Sequence, residues 1–195
     1  IDATRQVYIA WNQLVTNENL SAEERYAYRR DVFTNLPDMD WQEFGELGST
    51  DDNFTTPEAF MSWLAGQESY SDSEILHIQW GCTAKGLDGA YSESYDEILC
   101  NALFYDPVTY AKMLAYPGVM DDETRWSAIT GAVFDGELFP EKERTAAKAL
   151  DAAISANTLT AEETGWAKLL RYYLVTPSED GSFADYPKTP AELEN

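Results

Sequence analysis

The chain has 195 residues, of which 44% are hydrophobic and 13% aromatic, and this content excludes a disordered chain. A chain of this length buries roughly 70% of its unfolded surface, so one stable domain needs no further support. The net charge of −22, from 13 basic and 35 acidic residues, excludes nucleic acid as a partner, because phosphate binding needs clustered Lys and Arg. No apolar run approaches the roughly 20 residues that span a bilayer, so we expect no membrane insertion. Repulsion between like charges favours a monomer.

Helix signals begin near the N-terminus and predict a first group of three helices. Apolar residues at i, i+3 and i+4 spacing predict a helix over 3–16. The Ser21–Glu24 capping box opens a second helix, which Pro37 ends because the residue before proline avoids the α region. A short helix is predicted within 38–47, followed by a polar loop over 48–55.

The next stretch carries stronger helix signals. Thr56–Pro57 combines a cap with a proline at the first helical position, and it opens a helix that ends near Gly66. The Ser71–Glu74 capping box opens another helix, which is expected to run to about Ala84. A glycine-containing turn is predicted over 85–91. The helix after it has two candidate caps, Ser92 and Ser94.

The C-terminal half continues the helical pattern and then changes composition. Further helices are predicted over 107–116, 121–136, 140–156 and 160–174. From Thr176 onward Pro, Ser, Asp and Gly dominate, which predicts an extended tail or linker over 176–195. Because no segment shows sustained period-two alternation, we predict an all-α fold with a single helical domain over 1–175.

Part of the pattern returns after about 50 residues. TPEAFMSWLA, which begins at Thr56, matches DPVTYAKMLA, which begins at Asp106. The offset predicts three-helix units over about 3–55, 56–105 and 106–157, with a closing helix over 160–174. Residues of the second unit that are identical in the third are Pro57, Leu64, Ala65, Asp72, Gly81 and Gly86.

This spacing of capped helices resembles armadillo and HEAT-like helical repeats over Arg5–Leu174. The resemblance implies stacked antiparallel helices in a right-handed α-α superhelix built from degenerate three-helix units. The alternative is a non-repetitive helical bundle whose helices have similar lengths. A curved stack of this kind implies a scaffold that binds a protein or peptide partner without catalysis.

The two cysteines, Cys82 and Cys100, fall on consecutive helices of the second unit. We predict a disulfide between them, which would stabilise the fold by about 3 kcal/mol in the loop-entropy model. The alternative is two buried free cysteines. A disulfide, together with a start at Ile1 that we interpret as the loss of a leader, predicts an extracellular or cell-surface location.

No catalytic residue, metal site or cofactor is predicted. His77 is the only histidine, and the sequence has neither a second zinc-ligand pair nor a GxSxG elbow. The acidic segments Ser49–Asn53 and Asp88–Glu97 lack the EF-hand ligand pattern and are expected to be solvated loops. The alternative function is a small helical hydrolase that uses a Glu/Asp pair, with carbohydrate as a candidate substrate.

Two aromatic residues remain as candidates for binding. Tyr91 and Tyr95 flank a predicted helix start, where side chains can reach solvent. Exposed aromatic side chains at such a position can bind a partner or a sugar. We therefore predict that Tyr91 and Tyr95 contribute to binding.

Overall fold

The computed structural model describes residues 1–49 and 56–195, and within these ranges it contains eleven α-helices and no β-strand. The all-α prediction is therefore confirmed. In the same ranges, no helix combines the length and apolar character needed to cross a bilayer. Two 3₁₀ turns interrupt the helices, at Leu36–Asp38 and Gly81–Thr83. The helices are α1 (Ala3–Thr16), α2 (Ala22–Asn35), α3 (Trp41–Ser49), α4 (Pro57–Ala65), α5 (Asp72–Trp80), α6 (Gly89–Tyr105), α7 (Pro107–Leu114), α8 (Asp122–Gly136), α9 (Pro140–Ser155), α10 (Ala161–Val175) and α11 (Pro190–Glu194).

The predicted capping boxes at Ser21, Ser71 and Thr160 all form, each with both of its reciprocal hydrogen bonds. Each side-chain cap contributes about 1 kcal/mol to its helix. The polar loop predicted over 48–55 falls mostly on residues 50–55, which lie outside the described ranges, and the same holds for most of Ser49–Asn53.

Two boundaries around the second unit differ from the prediction. Helix α5 ends at Trp80 and not near Ala84, because the backbone tightens into the 3₁₀ turn that follows. Helix α6 begins at Gly89, before both candidate serine caps, because the carbonyl of Asp88 accepts its first hydrogen bonds, from the N–H groups of Tyr91 and Ser92. Tyr91 and Tyr95 therefore lie inside α6.

The core of the first two units is dense in aromatic rings. The Phe60 ring lies 4.9 Å from that of Phe44, 5.1 Å from Trp11 and 5.6 Å from Trp41, measured between centroids. Pairs of this kind contribute about 0.5–1.5 kcal/mol beyond the area they bury. This cluster is continuous with the aliphatic core around α8 and α10, so α1 to α10 share one core.

Helices of the predicted units contact one another in a recurring way. The first helix of each unit contacts the third, in the pairs α1–α3, α4–α6 and α7–α9. The middle helices contact in succession, α2 with α5 and α5 with α8, and α10 packs against α7, α8 and α9. The repeat and the handedness of a superhelix stay predictions, and a bundle is compatible with the same contacts.

The C-terminal segment folds back onto the helices, whereas the composition predicted an extended tail or linker. The Tyr173 hydroxyl donates a hydrogen bond to the carbonyl of Pro187 at 2.7 Å, and the rings of Tyr173 and Tyr186 lie 5.2 Å apart. Phe183 is fully buried in the common core. The backbone is mostly non-helical here, but these aromatic side chains fix the segment against α10.

Candidate functional site

The predicted disulfide is wrong, because Cys82 and Cys100 are both free thiols. The Cys82 sulfur lies 3.6 Å from the carbonyl oxygen of Thr124, at the start of α8. The Cys100 sulfur lies at the other end of α8, 3.9 Å from the position that a β-carbon would take on Gly136. These two points of α8 are about 18 Å apart at the rise of an α-helix, whereas a disulfide needs α-carbons within about 7 Å.

The free thiols are also poor nucleophiles. Burial raises the pKa of the Cys82 thiol to about 12. The pKa of Cys100 is likewise raised, first by burial and then by the nearby carboxylate of Asp135. Because the thiolate is the reactive species, neither cysteine is poised for nucleophilic chemistry.

The two predicted binding tyrosines have different environments. Tyr95 is only 2% exposed, and its hydroxyl donates to the carbonyl of Ile78 at 2.7 Å, so its side chain does not reach solvent as the sequence led us to expect. The reason is the early start of α6, which places Tyr95 in the second turn on the buried face. Tyr91 is half-buried and lines a groove of about 680 Å³ beside Glu58 and Asp88. A binding role for Tyr91 stays a prediction.

His77 takes part in local contacts along α5. Its Nδ1 lies 2.7 Å from the Ser73 carbonyl oxygen, and its ring lies 5.9 Å from that of Trp80. Among residues 1–49 and 56–195, no group of three or more His, Cys, Asp or Glu side chains is arranged to hold a metal ion.

A groove of about 880 Å³ lies where the C-terminal ends of α4 and α6 approach the N-terminal half of α9. The side chains that α9 turns to this groove include the small residues Thr145, Ala146 and Ala149, which leave space open between the helices. Tyr70 and Tyr105 form part of the wall, with ring centroids 5.7 Å apart. The result is an open groove with an aromatic wall.

A corner between α8 and α9 adjoins this groove, and we define the α8–α9 corner as residues 134–143. It exposes three large apolar side chains, with exposed fractions of 50% for Phe134, 73% for Leu138 and 43% for Phe139. The backbone turns tightly here, since the Phe139 N–H donates to the carbonyl of Gly136 at 2.8 Å.

Helix stability does not explain the presence of an aromatic residue at this turn. Phe139 is the N-cap of α9 and makes no side-chain cap hydrogen bond, whereas Asp121 and Thr160 cap α8 and α10 through their side chains. A Ser, Thr, Asp or Asn at position 139 would stabilise α9 by about 1 kcal/mol. The corner therefore carries an exposed ring where local stability favours a polar cap.

The corner is fixed against α6 and opens into the groove. The ring of Phe139 meets that of Phe104 edge-on, with centroids 6.5 Å apart. The Lys142 ammonium lies 5.0 Å from the Phe139 centroid and 5.9 Å from the Phe104 centroid. Because Phe104 and Lys142 also line the groove, the corner and the groove form one continuous surface.

Carboxylates crowd the corner. Residues 134–143 contain four acidic residues, Asp135, Glu137, Glu141 and Glu143, against the single cation Lys142. Partial burial, and after it the nearby carboxylate of Glu137, raises the pKa of Glu143 above its ordinary value. The local potential at the corner is therefore negative.

A smaller cleft of about 410 Å³ lies between α6, α8 and the C-terminal segment, and Asp96 is its central titratable residue. A β-carbon on residue 131 would overlap the Asp96 carboxylate, so Gly131 is what lets the acid lie against α8. Burial, followed by the charges of Asp135 and Glu93, raises the pKa of Asp96 to about 6. An acid with that pKa can exchange a proton near neutral pH.

The corner was not predicted from the sequence, and Asp96 fell within Asp88–Glu97, which was expected to be a solvated loop but mostly forms the start of α6. The available signal for the corner was Leu138-Phe139 directly before Pro140, which places apolar residues where a helix start favours a polar cap. The local pattern around Asp96 does not reveal its raised pKa, because the pKa depends first on burial and then on Asp135, which is distant in the chain.

Comparison with protein-family models, with curated proteins and with solved structures finds no match for this chain.

Proposed function

We propose that this protein is a non-catalytic helical scaffold that binds a protein or peptide partner at the α8–α9 corner and in the adjoining groove. The observation that carries the proposal is the exposure of Leu138 and Phe139 at the turn between α8 and α9, where the Phe139 ring packs against Phe104, a residue that lines the open groove. Large apolar side chains that cluster at the surface next to a concavity are typical of interaction sites.

The gain from covering the corner is large enough for recognition. Full burial of a Leu or Phe side chain stabilises by about 1.5–3 kcal/mol. Leu138 and Phe139 are each partly exposed, so covering both would contribute a few kcal/mol before the entropic losses of association. The contact between Phe139 and Phe104 holds the ring in place before binding, which reduces those losses.

An extracellular or cell-surface location was predicted largely from the disulfide. With both cysteines free, that part of the support is gone. The binding proposal does not depend on location.

Selection from a random peptide library displayed on phage tests the proposal. We expect the protein to enrich a family of related peptides, and the double variant Leu138→Ser/Phe139→Ser to lose them. The matched control is Tyr26→Ser, which removes an exposed aromatic residue on α2. Failure to enrich any family, or equal binding by the double variant, would contradict the proposal.

The raised pKa of Asp96 favours a second candidate, a small hydrolase that acts on carbohydrate. Asp96 would be the general acid and Glu93, one turn earlier on α6, the second carboxylate. We expect this enzyme to release nitrophenol from one member of a glycoside panel, with a pH profile that reports a group near pKa 6 and with activity lost in Asp96→Asn. An inactive wild-type protein across the panel would remove this candidate.

A further inference from the structure

We infer that the segment bound at the α8–α9 corner is basic as well as apolar, with Lys or Arg side chains next to one or two large hydrophobic residues. The inference rests on the proposed function, because it names the chemistry of the partner at that same surface. It follows from the charges around the apolar residues and from the way in which the corner already holds a cation.

The charge around the exposed apolar residues is mostly negative, and the two nearby cations are Lys142 and, just beyond the corner, Arg144, whose guanidinium lies 3.7 Å from the Glu141 carboxylate in an exposed ion pair. Glu137 and Glu141 are both exposed and lie on either side of Leu138 and Phe139 in the chain. Asp135 and Glu143 add two more carboxylates within the same ten residues. A partner that covers Leu138 and Phe139 must therefore place its neighbouring side chains next to carboxylates.

The crowding of carboxylates also contributes to the pKa values of two acids around the corner. Burial is the first cause of the raised pKa values of Asp96 and Glu143, and after it the charge of Asp135 raises the former and that of Glu137 the latter. The contributions of Asp135 and Glu137 are repulsions between like charges, and at Glu143 the charge of Arg144 offsets part of this repulsion. An incoming cation would relieve them, whereas an incoming carboxylate would add to them.

The corner already binds one cation of its own. The Lys142 ammonium lies over the faces of Phe139 and Phe104, at 5.0 and 5.9 Å from the two centroids. A cation at this distance from an exposed ring gains about 0.5–1 kcal/mol. A Lys or Arg of the partner could use the same rings together with the carboxylates of Glu137 and Glu141.

An acidic partner would meet repulsion at each of these carboxylates. A purely apolar partner would bury Leu138 and Phe139 but would leave the carboxylates to lose hydration without a counter-charge. A basic amphipathic segment satisfies both the apolar residues and the acids. This complementarity also favours fast association, because a protein of charge −22 attracts cationic segments over a distance.

Three synthetic peptides test the inference. They share the same Leu and Phe residues and differ only in the flanking positions, which are all Lys, all Gln or all Glu. Binding is measured by calorimetry at low and at high salt. Four proteins are compared: the wild type, Leu138→Ser/Phe139→Ser, the corner charge variant Glu137→Gln/Glu141→Gln, and the control Glu18→Gln/Glu123→Gln. The control removes the same charge from exposed acids elsewhere, on the turn after α1 and at the start of α8.

We expect the Lys peptide to bind the wild type most tightly and to lose binding in the apolar variant. The corner charge variant should bind it roughly threefold to tenfold more weakly, and the control should bind it as the wild type does. Binding of the Lys peptide that is equal in all four proteins would overturn the inference, because it would report only general attraction to an acidic protein.

The outcomes separate this inference from the proposed function. If the Gln or Glu peptide binds as tightly as the Lys peptide and requires Leu138 and Phe139, the inference is overturned while the proposed function stands. If the phage library enriches peptides that depend on the corner but carry no basic residues, the inference is likewise overturned while the proposed function stands. If no peptide from the set or the library depends on the corner, both are overturned.

Discussion

Phe139 rests edge-on against Phe104, with the ring centroids 6.5 Å apart and the ring planes at 88°. This contact ties the first residue before α9 to the last turns of α6, and it fixes the exposed corner relative to the groove. The neighbouring Leu138 has no comparable burial and is 73% exposed. The corner therefore combines a fixed ring with an exposed aliphatic side chain.

The first prediction concerns the unusual cap of α9. We expect Phe139→Ser to change the free energy of unfolding by no more than about 1 kcal/mol, because the new cap gains about 1 kcal/mol while the lost ring contact costs about 0.5–1.5 kcal/mol. Urea denaturation measures the change. The comparison variant Phe104→Ala removes a more deeply packed ring and should destabilise by about 3 kcal/mol. A loss of similar size in Phe139→Ser would show that this ring is needed for folding.

The second prediction concerns the pH dependence that Asp96 contributes. Its pKa in the folded protein, about 6, lies above the ordinary value of 3.8, so the folded state binds more protons between these values. The contribution of Asp96 to stability is therefore greatest below pH 4 and is lost as the pH rises through about 6. We expect Asp96→Asn to be more stable than the wild type at pH 7, with the difference shrinking toward pH 4.

The control for this measurement is Asp121, which should show the opposite sign. The N–H of Thr124 donates to its carboxylate at 2.8 Å and lowers the pKa of Asp121. Its contribution is present above the ordinary pKa and is lost as the pH falls through the lowered value. If Asp96→Asn leaves the pH dependence of unfolding unchanged, the acid is not in the environment described here.

The third prediction concerns the close approach of α6 and α8. A methyl group at position 131 would overlap the Asp96 carboxylate and come within 2.9 Å of Leu99 Cδ1, so we expect Gly131→Ala to destabilise by about 1–3 kcal/mol. In a double-mutant cycle, Asp96→Ser should recover at least about 0.5 kcal/mol of that loss, because it removes one of the two overlaps. Additive effects of the two substitutions would place the Asp96 side chain away from Gly131.

The fourth prediction concerns the thiols. Without any reductant, mass spectrometry after alkylation in denaturant should find both Cys82 and Cys100 modified, because neither is in a disulfide. In the folded protein alkylation should be slow at both sites, since burial raises both pKa values and lowers the thiolate fraction. A protein that resists alkylation even in denaturant would restore the disulfide.

Much of the helical fold could be predicted from local sequence. The capping boxes at Ser21, Ser71 and Thr160 depend on residues three apart, so the sequence alone identifies them. Ser92 and Ser94 predict a later start for α6, because serine is a common N-cap residue. The helix begins at Gly89 instead, and the backbone carbonyl of Asp88 accepts its first hydrogen bonds. Asp88 is of a residue type that commonly caps helices, but its side chain makes no cap hydrogen bond here.

The candidate surface could not be predicted in the same way. Phe134 continues the apolar spacing of α8, yet it is half exposed in the last turn of that helix. Cys82 and Cys100 are close in sequence, but they contact opposite ends of α8. Only the tertiary packing shows this separation. Exposure and long-range separation depend on the assembled core and not on local pattern.

The binding surface can be tested most directly by mapping a bound peptide onto the protein through amide chemical shifts in isotope-labelled samples. The peptide is the most strongly enriched sequence from the library. We expect the largest shifts on residues 137–143 and on the groove residues Phe104 and Thr145. Shifts that cluster instead around Tyr91, or in the cleft at Asp96, would contradict the assignment of the α8–α9 corner as the binding surface.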